Sequence, residues 1–198
     1  MPFTLAILGT ILLYTWILAP RGVPVAVPAI AVLVLTAWSA LRSRISGLTL
    51  REFVPALRAT LFFTLPAVLV VLGAGALMGT LHDPGGLVEK VAVLVPWGGA
   101  QQWVLQTVVL REARQRTSPA WSVVLAALLF ALVHLPNPLL MLMTFIGALG
   151  WCAIFIRHPN ILPLAGSHAV ATLALLAAFD DGLTGRLRIG VAYLMLQK

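Results

Sequence analysis

The sequence predicts an all-α fold, a polytopic bundle of about seven to eight transmembrane helices. Its 198 residues are 61% hydrophobic and 10% charged, with a mean hydropathy of +1.02, whereas a soluble domain carries about 25% charged residues. Apolar stretches of near-spanning length recur from end to end, separated by short runs rich in Arg, Pro, Gly and Asp. A soluble domain with one anchor would not show that pattern.

Taken in order, the expected spans are 3–18, 23–41, 57–78, 91–110, 121–135, 139–156 and 161–179. The first has no basic n-region and no small-residue cleavage site after it, so it reads as a retained span. Several are short and call for tilt or local bilayer thinning. A last apolar piece, 189–196, is too short to cross and is expected at the interface. Arg42, Arg44, Arg51 and Arg58 separate the second and third spans, around Gly47 and Leu48, in a segment that suits an interfacial amphipathic helix. Asp83-Pro84-Gly85-Gly86 is a turn signal before the fourth span. Arg111, Arg114 and Arg116 follow that span, Pro136-Asn137-Pro138 breaks the chain after the fifth, and Arg157-His158-Pro159-Asn160 separates the last two. The expected organisation is one transmembrane domain over 1–198, with N-terminal spans in 1–90, a core in 91–179 and a tail in 180–198.

The net charge of +7 and a pI near 11.1 have a plain cause in a membrane protein, because Lys and Arg collect in cytoplasmic loops. No nucleic-acid partner is expected. Putting the arginine-rich loops inside places the N-terminus and Arg157 in the cytoplasm, with Arg21 and Lys90 outside. Seven spans leave Arg186, Arg188 and Lys198 outside; an eighth crossing or a re-entrant segment reverses that end. The one cysteine, Cys152, permits no intrachain disulfide and no Cys-based metal cluster, and is expected to pack as a small apolar residue.

Polar side chains within apolar spans are expensive and tend to mark a site. Gln102 and Gln106 are four apart and share a helix face, with Gln101 beside them. Phe130 and His134 have the same spacing, as do His168 and Thr172. Three spans therefore present polar faces that are expected to turn toward one another, with Trp103 beside the glutamines. Taken singly, each of these residues is better read as interhelical glue, at about 0.6 kcal/mol per pair. Together they suggest a chamber.

The motifs Phe130-Ala131-Leu132-Val133-His134 and Ser167-His168-Ala169-Val170-Ala171-Thr172 resemble two signatures of the CAAX-protease and bacteriocin-processing (CPBP) family of intramembrane proteases: F-x-x-x-H and H-x-x-x-N/D. Counting back from His134, the family's E-E-x-x-x-R falls on Gln101-Gln102-x-x-x-Gln106. A rival register on Glu112 and Arg116 lies past the span and reads as an ordinary surface pair.

The resemblance implies a CAAX-protease-like bundle in which Gln101, Gln102, His134 and His168 stand at catalytic positions, supported by Gln106, Phe130, Thr172 and Trp103. In the family the glutamates are proposed to activate water with help from the histidines, and a metal is invoked for some members. A general base must accept a proton, and its loss commonly costs about 10²–10⁴-fold. A carboxamide only donates and accepts hydrogen bonds. Two histidines alone, His134 and His168, rarely hold a catalytic zinc, so no cofactor is expected, and zinc only if the chain is a working protease. Losing the arginine together with both acids avoids an unpaired intramembrane cation.

The expectation is therefore a degenerate, catalytically impaired relative in the bacterial inner membrane, whose cavity binds a transmembrane segment, a lipid or a protein partner. The alternative is an active intramembrane endopeptidase that cleaves near membrane-embedded or prenylated tails. A transporter lined by the same residues would make the motif spacing accidental.

Overall fold

Among the residues described by the computed structural model, 1–197, every extended element is helical. The one extended-chain feature is an isolated bridge between Leu48 and Asn160. Lys198, one of the expected outside charges, lies outside the described residues. The helices are α1 (Pro2–Leu13), α2 (Ala26–Ser43), α3 (Phe53–Met78), α4 (Leu87–Val104), α5 (Arg111–Arg114), α6 (Pro119–Leu132), α7 (Pro138–Arg157), α8 (Ile161–Ala178), α9 (Asp181–Thr184) and α10 (Val191–Leu194). A π-helical segment, Tyr14–Leu18, and a 3-10 turn, Ala19–Arg21, prolong α1; a second π-helical segment, Leu105–Leu110, joins α4 to α5.

Five stretches are long and apolar enough to cross a membrane: Pro2–Arg21, Ala26–Ser43, Leu50–Met78, Pro138–Arg157 and Ile161–Ala178. The expected spans 91–110 and 121–135 fall on helices outside that set. The first carries the three glutamines, which lower its hydropathy, and the second, Pro119–Leu132, is a shorter apolar helix.

The chain forms two compact units. Met1–Ser46, Val104–Cys152 and Gly185–Lys198 make the first. There α1 packs on α2, with Phe3 meeting Trp38 edge-on at 5.8 Å between ring centroids. Leu105, Val108 and Leu110 of the π-helical segment are buried, as are Ala126 and Ala127 of α6. Ser118 caps α6 by accepting from Trp121 N, and Pro119 takes the first turn, where its missing N–H costs nothing.

Glu112 is not the exposed half of a surface pair with Arg116. It is 3% exposed and accepts from Thr4 N (3.0 Å), Thr4 Oγ1 (2.8 Å) and Phe3 N (3.4 Å). Helix α1 has no side-chain cap of its own, and its orphan first-turn donors favour an anion. Glu112 supplies it from the far side of the unit's sequence. The tail also folds back. Gly190 N donates to Leu135 O (2.7 Å), Asn137 Nδ2 donates to Arg188 O (3.2 Å), and Tyr193 is buried. A Cβ on Gly190 would strike Thr15, so the tail seats at the end of α1 opposite Glu112.

Gly47–Trp103 and Ala153–Thr184 make the second unit, built on α3 against α8. Gly75 lets the two backbones meet, since a Cβ there would collide with the Ala178 carbonyl. Thr64 and Ser167 share a hydrogen bond of 2.6 Å across the pair. The segment around Gly47 and Leu48 is not an amphipathic helix. Gly47 takes a positive φ of 77°, its carbonyl accepts from Ile161 N, and Thr49 N donates to Pro159 O. Asn160 Nδ2 donates to Thr49 O, and His158 meets Glu52 at 2.9 Å. Backbone partners from the α7–α8 turn thus replace those a helix would have provided. The two loops that charge placed on the cytoplasmic side are laced together.

Replacing Glu112 by Ala should lower unfolding stability by about 1–3 kcal/mol, because buried donors lose their acceptor. Glu112→Gln, which keeps one acceptor oxygen, should lose less. The unfolding midpoint in mild detergent checks this, and an unchanged midpoint for Glu112→Ala contradicts it.

Candidate functional site

Pro96 lies within α4, where it frees the carbonyl four residues back. Gly98 and Gly99 follow it and allow α8 to approach. A Cβ on Gly98 would lie 3.2 Å from His168 Cβ and 3.3 Å from Ala165 O. One turn on, Gln102 is fully buried, and its Nε2 is 3.3 Å from His168 Nδ1. With the amide nitrogen turned to the ring, Nδ1 of a neutral His168 is the acceptor and the proton sits on Nε2; with the amide oxygen there the tautomer would be the other one.

The neighbouring groups hold this pair in place. Ser167, beside His168, is tied to Thr64, whose hydroxyl also donates to Thr60 O at 2.7 Å. Gln101 is half-buried, with its Oε1 shielded and without a hydrogen-bond partner among the described residues. Thr172 spends its hydroxyl on His168 O at 2.9 Å, a bond within its own helix. Trp103 is half-buried at the end of this stretch.

The other singled-out residues lie in the first unit. His134 lies in the turn that follows α6, and its Nδ1 donates to Phe130 O at 2.8 Å. The ring stacks edge-on against Phe130, 5.1 Å between centroids. A carbonyl only accepts, so the proton is on Nδ1 and a neutral His134 presents Nε2 as an acceptor. Gln106 is buried on the π-helical segment and hydrogen-bonds the Cys152 thiol on α7. Cys152 is thus more than an apolar filler. π-Helical segments often mark functional positions, and this one carries Gln106.

Three pairs are therefore assembled: Gln102 with His168, Phe130 with His134, and Gln106 with Cys152. Sequence reasoning missed Thr64 and Asn137. Thr60 and Thr64 are four apart on α3, a helix-face signal that was available. Asn137, fully buried, accepts from Leu140 N at 3.1 Å and so caps α7 right after His134. No three His, Cys, Asp or Glu side chains converge as metal ligands among the described residues. The groups present do not fit a three-ligand zinc site.

Residues 87–174 match the family model described as type II CAAX prenyl endopeptidase Rce1-like. The match is consistent with the CAAX-protease and bacteriocin-processing family, and it covers the α4–α8 stretch that holds every residue of the pairs above. No curated protein and no solved structure matches the chain. Over that stretch the chain is CAAX-protease-like, and its apolar helices are those of an integral membrane protein.

Gly98→Val should separate α4 from α8, lengthen the Gln102–His168 contact and cost about 1–3 kcal/mol of stability. Gly99→Ala meets Ala165 Cβ at an ordinary 3.6 Å and should be tolerated. Unfolding midpoints of the two variants check this, and equal behaviour contradicts it.

Proposed function

We propose that this chain is a catalytically impaired CAAX-protease-like protein whose intramembrane polar site binds a transmembrane segment, a lipid or a membrane-protein partner. The observation that carries the proposal is the Gln102–His168 hydrogen bond. A glutamate at position 102 would accept a proton-bearing Nδ1 and leave Nε2 with its lone pair. The amide reverses the polarity: Nδ1 accepts, Nε2 holds the proton, and His168 has no basic nitrogen left to offer a water. Gln101 and Gln102 cannot take up a proton at neutral pH, and Gln106 adds no cation. What the site retains is hydrogen-bonding capacity in an apolar setting, which suits binding.

The alternative, an active endopeptidase cleaving near membrane-embedded or prenylated tails, draws support from one group. His134 presents an Nε2 acceptor, the form a general base needs. Under that reading His134 removes the proton from water. The bacterial inner membrane is the proposed location.

The unmodified chain, reconstituted in liposomes with a prenylated CAAX peptide and a single-span substrate, should show no cleavage above background and should carry little zinc. Gln101→Glu with Gln102→Glu, with or without Gln106→Arg, should create or raise proteolysis by about 10²–10⁴-fold. Robust turnover by the unmodified chain that His134→Ala abolishes would establish the alternative instead.

A further inference from the structure

One end of the first unit concentrates five guanidinium groups. Arg42 lies in the last turn of α2 and Arg44 is its C-cap; Arg111, Arg114 and Arg116 follow the π-helical segment. Arg111 binds the two elements together, its Nη1 donating to Ser39 O (3.1 Å) and its Nη2 to Ser39 Oγ (2.7 Å), one turn before Arg42. The Arg42 guanidinium lies 4.9 Å over the Trp38 ring, and Trp38 in turn meets Phe3 at the start of α1.

The carboxylate at this end is Glu112, and it is turned inward onto Phe3 and Thr4. Among the described residues none of the five arginines forms an ion pair with a carboxylate. Arg42, Arg44, Arg114 and Arg116 are exposed. Trp38 and Leu41 beside them are 50% and 78% exposed, an arrangement suited to apolar lipid chains below and headgroups above. Trp prefers that depth. Guanidinium groups match phosphate oxygens in planar, two-pronged hydrogen bonds.

We propose that this end is a binding surface for anionic phospholipid headgroups. Phosphate oxygens accept from Arg42, Arg44, Arg114 and Arg116, while Arg111 holds α2 and α5 in register behind them. Glu112 serves the same end by placing its charge on the α1 first turn, where it does not neutralise the patch. Clusters of four or more basic residues at a helix end favour anionic leaflets, and the attraction is sensitive to salt.

The test uses the full chain purified in neutral detergent. Phosphatidylglycerol, phosphatidylcholine or inorganic phosphate is added, and both the unfolding midpoint and the lipid retained after washing are measured. The proposal expects phosphatidylglycerol alone to raise the midpoint and to be retained in excess over phosphatidylcholine, with high salt stripping that excess from the native chain. Combining Arg42→Gln, Arg114→Gln and Arg116→Gln should cut the excess by roughly tenfold or more, and the matching Lys variant should keep most of it. Equal protection by phosphatidylcholine overturns the proposal. So does an effect reproduced by inorganic phosphate alone, or an unchanged excess in a folded triple Gln variant. The salt arm decides the question should that variant fail to fold.

Discussion

The proposed reading depends on a single hydrogen bond, between the Gln102 amide and Nδ1 of His168. It is made deep among apolar helices, where an ionised carboxylate would be costly unless paired and hydrogen-bonded. Its geometry depends on smaller features: Gly98 allows α8 to come close, and the Thr64–Ser167 bond fixes the helix that carries His168. Under the proposed reading the amide nitrogen faces the ring, and a donor there puts the imidazole proton on Nε2. The same ring beside an oxygen acceptor would present its other face chemically. Under the proposed reading, exchanging one atom type changes the site from one that moves protons to one that only shares them.

Charge elsewhere in the chain is kept to the helix ends. In the first unit the arginines gather where α2 finishes and α5 begins, and the one carboxylate there is used by the first turn of α1. The C-terminal segment seats at the opposite end of that helix, beside Thr15 and Leu135. In the second unit the Glu52–His158 contact and the Leu48–Asn160 bridge join two loops that charge alone had assigned to the same side.

Much of this was legible in the residues. Hydropathy gave the helical bundle and most helix positions, because burial in lipid needs long apolar runs whatever their partners. The i,i+4 spacing identified Gln102, Gln106, Phe130, His134 and His168. What could not be read were partners distant in sequence. Glu112 looks like a surface residue beside Arg116 until the first turn of α1 is known to lie against it. Gln106 bonding Cys152 depends on α7 facing the π-helical segment, and nothing in local spacing announces that. Asn137 looked like part of a chain-breaking turn, yet its side chain both caps α7 and holds the tail. The segment around Gly47 failed as a helix for the same reason: its hydrogen bonds go to Pro159, Asn160 and Ile161, over a hundred residues away.

The most direct test is the ¹⁵N resonance pattern of the His168 ring at neutral pH in selectively labelled protein. The account predicts an unprotonated, hydrogen-bond-accepting Nδ1 and a protonated Nε2 in the native chain. It predicts the reverse assignment once Gln102→Glu is introduced. A native His168 with its proton on Nδ1 and a bare Nε2 would contradict it, since the ring would then already be set up as a base.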